Sequence, residues 1–253
     1  MPLPTLARDL LHGALDLVFA PVCVACGEGI DTADSERVIC RLCWLRCRPL
    51  PLPRCPRCWS PVPWGREPAP TCRTCAEWPA AVRAIRSAFV IGQAPRAMVH
   101  SLKYRGWEAA AGPMSARMAA LELPADVEAE AEIVVPVPTS AARLRERGYN
   151  QAELLARGLA ARTGRELRTD LLARTHSAGS QTALTPDERR LNVSRAFVAG
   201  PGAADLRGEH VIVVDDVWTT GATALACVGA LLEAGARVAS VVTFARVVPE
   251  LER

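Results

Sequence analysis

Nine of the ten cysteines lie between residues 23 and 75, and eight of them form four C-x2-C pairs: Cys23/Cys26, Cys40/Cys43, Cys55/Cys58 and Cys72/Cys75. Each cysteine of the last two pairs stands 32 positions after its counterpart in the first two. The segment is therefore a duplicated C-x2-C-x13-C-x2-C unit. It is also rich in proline (Pro49, Pro51, Pro53, Pro56, Pro61, Pro63), and too short to bury a large core. Something other than hydrophobic burial has to hold it, and bound metal supplies folding energy directly. An x2 spacing closes a tight knuckle, and two knuckles complete a tetrahedral zinc site. A disulfide framework belongs to oxidising compartments, and redox C-x2-C pairs seldom come four at a time. The eight paired cysteines are thus expected to hold structural Zn²⁺, one ion or two. Spacing leaves the pairing open between two sequential sites, interleaved ligation and one degenerate site. Cys47 and Cys227 fall outside the pattern and read as packing thiols.

The 253 residues suffice for a small and a medium domain, and 50% hydrophobic with 23% charged residues is ordinary globular composition. A net charge of +3 neither demands nor forbids nucleic acid. Residues 1–20 carry leucines at helical spacing, interrupted by Arg8, Asp9, His12 and Asp16. They read as an amphipathic helix rather than an export signal. No run approaches the ~18 apolar residues of a membrane span, so a cytoplasmic protein is expected. Of 30 basic residues only Lys103 is lysine. It marks either a site that needs a compact ammonium or a chance survivor of arginine-biased composition. Trp44, Trp59, Trp64 and Trp78 stand among Arg41, Arg46, Arg48, Arg54, Arg57 and Arg73. Such rings either cover the knuckles or stack on nucleobases.

Beyond residue 79 the composition changes, which divides the chain into a helix (1–20), a cysteine module (21–79) and a larger domain (80–253). Strands are expected at 88–91, 133–137, 196–198, 211–214 and 238–244, and helices at 96–104, 108–121, 151–162 and 223–234. Strands interleaved with helices predict an α/β domain with a mainly parallel sheet flanked by helices. The 211–214 strand is apolar without alternation, as a central strand covered on both faces must be. It runs into Asp215-Asp216-Val217-Trp218-Thr219-Thr220-Gly221-Ala222-Thr223 and then a helix. A turn of this kind presents unpaired N–H groups at a helix N-terminus, where a phosphate is stabilised. The threonines add hydroxyl donors, and the two acids can accept hydrogen bonds from the hydroxyls of a sugar.

That run resembles the 5-phosphoribosyl pyrophosphate (PRPP) signature of type I phosphoribosyltransferases, departing from it at Trp218, where a smaller residue is usual. Val135–Ser140 resembles the pyrophosphate loop of the same enzymes, and residues 176–192 are placed like their mobile catalytic loop. With the paired cysteines, Leu102-Lys103-Tyr104-Arg105-Gly106 and Arg145-Glu146-Arg147-Gly148-Tyr149-Asn150-Gln151 in this order, the chain is similar to the ComF/GntX family over nearly its whole length.

The resemblance implies a type I phosphoribosyltransferase-like fold preceded by a small zinc-ribbon-like module. It also implies PRPP binding with Mg²⁺. Asp215 and Asp216 would hold the ribose hydroxyls; Thr219, Thr220, Gly221, Ala222 and Thr223 the 5-phosphate; Val137, Pro138, Thr139 and Ser140 the pyrophosphate. Lys103 and Arg147 join the two acids as candidate catalytic groups, steadying the leaving group. Family members are linked to natural transformation, so single-stranded DNA and DNA-uptake proteins are the implied partners. The alternatives are a nucleobase phosphoribosyltransferase of salvage metabolism and a non-catalytic, PRPP-sensing DNA-binding protein. No residue marks an acceptor.

Overall fold

A computed structural model of the chain describes residues 21–31, 37–65, 71–175 and 196–249. The expected helix at 1–20 and the expected mobile loop at 176–192 lie outside the described residues.

Five parallel strands form the sheet: β1 (Val82–Val90), β2 (Ala131–Pro136), β3 (Glu166–Leu167), β6 (His210–Trp218) and β7 (Val238–Arg246), in the order β1-β7-β6-β2-β3. The remaining two, β4 (Leu172–Arg174) and β5 (Phe197–Ala199), pair antiparallel in a separate ribbon. The segment expected at 196–198 is therefore a strand, but not one of the main sheet. Helices α3 (Gln93–Tyr104), α4 (Ala111–Ala119), α5 (Ala125–Glu130), α6 (Ala141–Arg147), α7 (Gln151–Thr163) and α8 (Ala222–Glu233) connect or cover the strands. A short 3₁₀ turn, Glu108–Ala110, precedes α4. β6 is buried from His210 to Val214, as its unbroken apolar run requires.

Alternate residues of each strand feed two cores. Ala84, Val134, Ile212, Val214, Val242 and Phe244 point to one face, with α3, α4 and α7 over them. Ile85, Val135, Val211, Val213 and Val241 point to the other, beneath α8. The cysteine module divides between these faces. Cys23, Val24, Ile39 and Cys43 belong to the first core, whereas Cys55, Cys58 and Cys75 belong to the second. Its two short helices, α1 (Arg41–Leu45) and α2 (Arg73–Ala76), each carry one cysteine of a knuckle.

Between the halves, the module covers the free edge of β1: Ile85 N–H donates to Arg57 O (2.9 Å) and Val90 N–H to Arg48 O (2.8 Å). Arg57 reinforces this join by donating to Val82 O (2.9 Å) and Cys75 O (2.6 Å). An edge strand left open is a template for aggregation, so the duplication has a mechanical use, one copy clasping each face of the same edge.

Candidate PRPP site and zinc centres

The crevice forms where strand order reverses. From β2 the chain leaves through α6 and α7 to β3 on one side, while β6 lies on the other. Ligands of open α/β sheets sit outside the carboxyl ends of strands at such a switch point. Val137 N–H donates to Val214 O (2.9 Å), which sets the loop after β2 beside the end of β6. Residues 137–140 thus follow β2 beside the strand end from which 215–223 continue. Ser140 caps α6 by accepting from Arg143 N–H (3.3 Å). Asn150 caps α7 and donates from Nδ2 to Val137 O (3.0 Å), tying the Arg-Gly-Tyr-Asn-Gln run to the loop.

The expected strand 211–214 continues through both acids to Trp218, so Asp215 and Asp216 lie on strand backbone and point to opposite faces. Asp216 is buried, and Lys103 Nζ sits 2.9 Å from its Oδ1 and 2.8 Å from its Oδ2. The single lysine of the chain thus neutralises the buried acid. Lys103 comes from the last turn of α3, and Tyr149 anchors that turn by donating to Leu102 O. Asp215 has no such partner. Burial, and then the charge of Asp216, push its carboxyl up to about 7, against the Asp216 N–H bond and the charges of Lys103 and Arg174.

Arg147 closes α6, donates to Gln151 Oε1 (2.9 Å) and lies over the Tyr104 ring (4.7 Å). Its Nε is buried without a partner among the described residues. Arg174 is a site neighbour that sequence reasoning missed. It sits on the three-residue β4, where no pattern announces it, yet its charge acts on Asp215.

The phosphate turn places Thr219 and Thr220 at the surface and Gly221 in the interior. Gly221 caps α8 with φ +82°, and a Cβ there would lie 2.1 Å from Trp218 Cζ2. Trp218 itself is buried and forms the floor of the turn. The departure from the family pattern is therefore accommodated beneath the loop rather than in the crevice.

Both cysteine quartets are assembled, sequentially: Cys23, Cys26, Cys40 and Cys43 form one, and Cys55, Cys58, Cys72 and Cys75 the other. The thiols are thus grouped sequentially rather than interleaved. All ten cysteines are free thiols. Sγ–Sγ separations of 3.9 Å (Cys26–Cys40), 3.7 Å (Cys55–Cys75) and 3.5 Å (Cys58–Cys72) fit a tetrahedron, whose edge is about 3.8 Å for Zn–S bonds of ~2.3 Å. In each quartet backbone N–H groups, opposing burial, lower one thiol: Cys23 to about 7 and Cys72 to about 6. Both quartets could hold zinc. Cys47 instead donates to Cys43 O (3.3 Å), and burial pushes it up to about 12, a packing role.

Three of the four tryptophans pack against other side chains. Trp44 packs on Phe89 and Phe244 (6.1 and 6.3 Å), Trp59 lies between Arg54 and Arg86 (3.4 and 4.6 Å), and Trp78 meets Trp218 (5.6 Å). Of the four, Trp59 is buried, Trp44 and Trp78 are half-buried, and Trp64 is 89% exposed. A stacking platform built from all four rings does not exist.

Fold and crevice define a phosphoribosyltransferase-type protein, and residues 144–253 match the phosphoribosyl transferase domain model. DNA utilization protein YhgH of Salmonella typhimurium is 28% identical over 222 residues, covering 77% of this chain and 92% of that one. Competence protein ComFC of Bacillus subtilis is 36% identical over 112 residues, 44% of this chain and 42% of that one. Among solved structures, the allosteric regulatory enzyme of purine biosynthesis is 26% identical over 57% of this chain, with a TM-score of 0.34; the likeness spans about a quarter of that longer chain. The chain thus carries a phosphoribosyl transferase domain over residues 144–253 and is similar to DNA utilization and competence proteins of the ComF type. No helix among the described residues is long and apolar enough to cross a membrane.

Proposed function

We propose that the chain binds PRPP with Mg²⁺ in the crevice between β2 and β6, and that it serves the cytoplasmic handling of incoming single-stranded DNA in natural transformation. The observation that carries the reading is the meeting of the 137–140 loop, the two acids and the threonine turn at one switch point, with Lys103 against Asp216.

In this reading Asp215 and Asp216 accept from the ribose hydroxyls, and residues 219–223 receive the 5-phosphate at the start of α8. Residues 137–140 receive the pyrophosphate, with the backbone N–H groups of Thr139 and Ser140 as the donors, since Pro138 has none and Val137 N–H is taken by Val214 O. Lys103 pairs with Asp216 in its buried position, and Arg147 stands by for the leaving group's charge. Bound Mg²⁺ supplies charge neutralisation on the pyrophosphate. Two Zn²⁺ ions in the cysteine quartets hold the module. DNA-uptake proteins remain the partners that the family's names favour.

Calorimetry of PRPP with and without Mg²⁺ tests the site. Wild type should bind only with Mg²⁺, and Asp215→Asn/Asp216→Asn should lose a few kcal/mol at most, the worth of two charge-assisted hydrogen bonds. Equal affinity in the double variant, or no binding by wild type, refutes the reading. Release of pyrophosphate with a free nucleobase would favour the salvage enzyme instead.

A further inference from the structure

We propose that Trp218 is a positioning residue through which the second cysteine quartet holds the phosphate turn in shape. The proposal rests on the reading of 219–223 as a phosphate site, although the coupling itself is a property of the protein alone.

Trp218 is the last residue of β6, in register with Arg246 of β7, and its carbonyl accepts from Val247 N–H (2.8 Å). Its backbone is thus fixed by the sheet, while its ring fills the space directly under Gly221. The turn cannot settle lower than the ring allows, nor can the ring tilt upward without displacing Gly221. What prevents the ring from moving away is on its other sides. Arg246 lies with its guanidinium 5.5 Å from the ring, and Trp78 packs at 5.6 Å.

Both of these supports hang on the second quartet. Arg246, itself 5% exposed, donates to Cys58 O and to Ser60 Oγ (2.9 Å). Ser60 Oγ also lies 3.3 Å from Cys58 Sγ, and Trp78 N–H donates to Cys75 O (3.3 Å). Every one of these acceptors sits on a knuckle that the four thiols close. Across a cavity of about 550 Å³, Thr74 and Trp78 of the module face Thr220 and Ala222 of the turn. The first quartet touches none of this, because it packs on the opposite face of the sheet. Loss of metal from the second quartet should therefore loosen the turn, and loss from the first should not.

Amide exchange on the full chain tests this, with zinc measured in each sample. The variants are Trp218→Ala, Trp218→Phe, Cys72→Ser and, as the control on the other face, Cys40→Ser. Exchange in the peptide 217–226 should rise about tenfold in Trp218→Ala and Cys72→Ser, return toward wild type in Trp218→Phe, and stay unchanged in Cys40→Ser. Ribose 5-phosphate should bind about tenfold more weakly to the first two, with pyrophosphate binding unaltered, a split that general destabilisation would not produce. Unchanged exchange in Cys72→Ser after zinc loss, or an equal rise in Cys40→Ser, overturns the coupling. Should Cys72→Ser fail to fold, the Trp218→Ala and Trp218→Phe pair decides. A rise in exchange without any binding of ribose 5-phosphate by wild type would uphold the coupling and overturn the phosphate reading.

Discussion

Asp215 and Asp216 are adjacent in sequence but meet different surroundings because a strand turns successive side chains to opposite faces. Asp216 has Lys103, whereas no cation among the described residues is in contact with Asp215. Since the Asp215 carboxyl titrates near 7 in the folded chain and near ~3.9 when unfolded, the folded state holds that proton more tightly between these values. Stability of the ligand-free protein is therefore lost as pH rises through this window, and the cost is complete above it. Asp215→Asn should raise ligand-free stability at pH 8 by an amount on the order of 1–3 kcal/mol, with little gain at pH 4, while weakening PRPP binding. Thermal melts at both pH values and calorimetry check the two halves; a destabilised variant at pH 8 would contradict the assignment. The two acids, the threonines and Gly221 were legible as a site because their order is itself the signal. Lys103 was legible as an oddity of composition and as part of a family-like run, but its pairing with Asp216 was not, since the two stand 113 residues apart.

The knuckles show the duplication at the level of single hydrogen bonds. Gly27 N–H donates to Cys23 O (2.7 Å), and its counterpart Trp59 N–H donates to Cys55 O (2.8 Å). Cys23 N–H to Glu28 O repeats as Cys55 N–H to Ser60 O, and the bridge Val22–Gly29 repeats as Arg54–Pro61. The turn demands a left-handed residue, which the first copy meets with Gly27 (φ +79°). In the second, Trp59 takes φ +58° instead, at a cost of roughly 1–2 kcal/mol, offset by its place between two guanidiniums. Elemental analysis should give two zinc ions per chain, with Cys40→Ser and Cys72→Ser each losing one. One ion in the wild type, or both lost together from Cys40→Ser, would contradict independent quartets. At the same scale, β1 begins six residues before the strand expected at 88–91, because Arg83 and Arg86 disguise its start. Arg86 is nonetheless buried, its guanidinium donating to the carbonyls of Pro56, Arg57, Ile85 and Glu122. No periodicity announces an arginine spent on carbonyls.

For the whole molecule, the module and the sheet share their cores, and that changes what a truncation can be expected to do. Residues 80–253 alone would expose the edge of β1, strip Arg246 of Cys58 O and Ser60 Oγ, and uncover Trp218. Such a fragment should be aggregation-prone and lose the cooperative melt of the full chain; size-exclusion chromatography and thermal unfolding check this. A stable, monomeric fragment would show that the clasp is dispensable. Sequence alone determined the cysteine repeat and its fitness for metal, the α/β class, and the order of acids, threonines and glycine at a strand's end. Each of these rests on local spacing, and local spacing is what a chain states directly. The tertiary structure decided that the quartets close sequentially, that they grip opposite faces of one edge strand, and that Lys103 neutralises Asp216. It also decided that three of the four tryptophans pack as supports against other side chains. Those outcomes depend on contacts between residues far apart in the chain, where packing and the desolvation of charge select one arrangement among many that the same spacing permits.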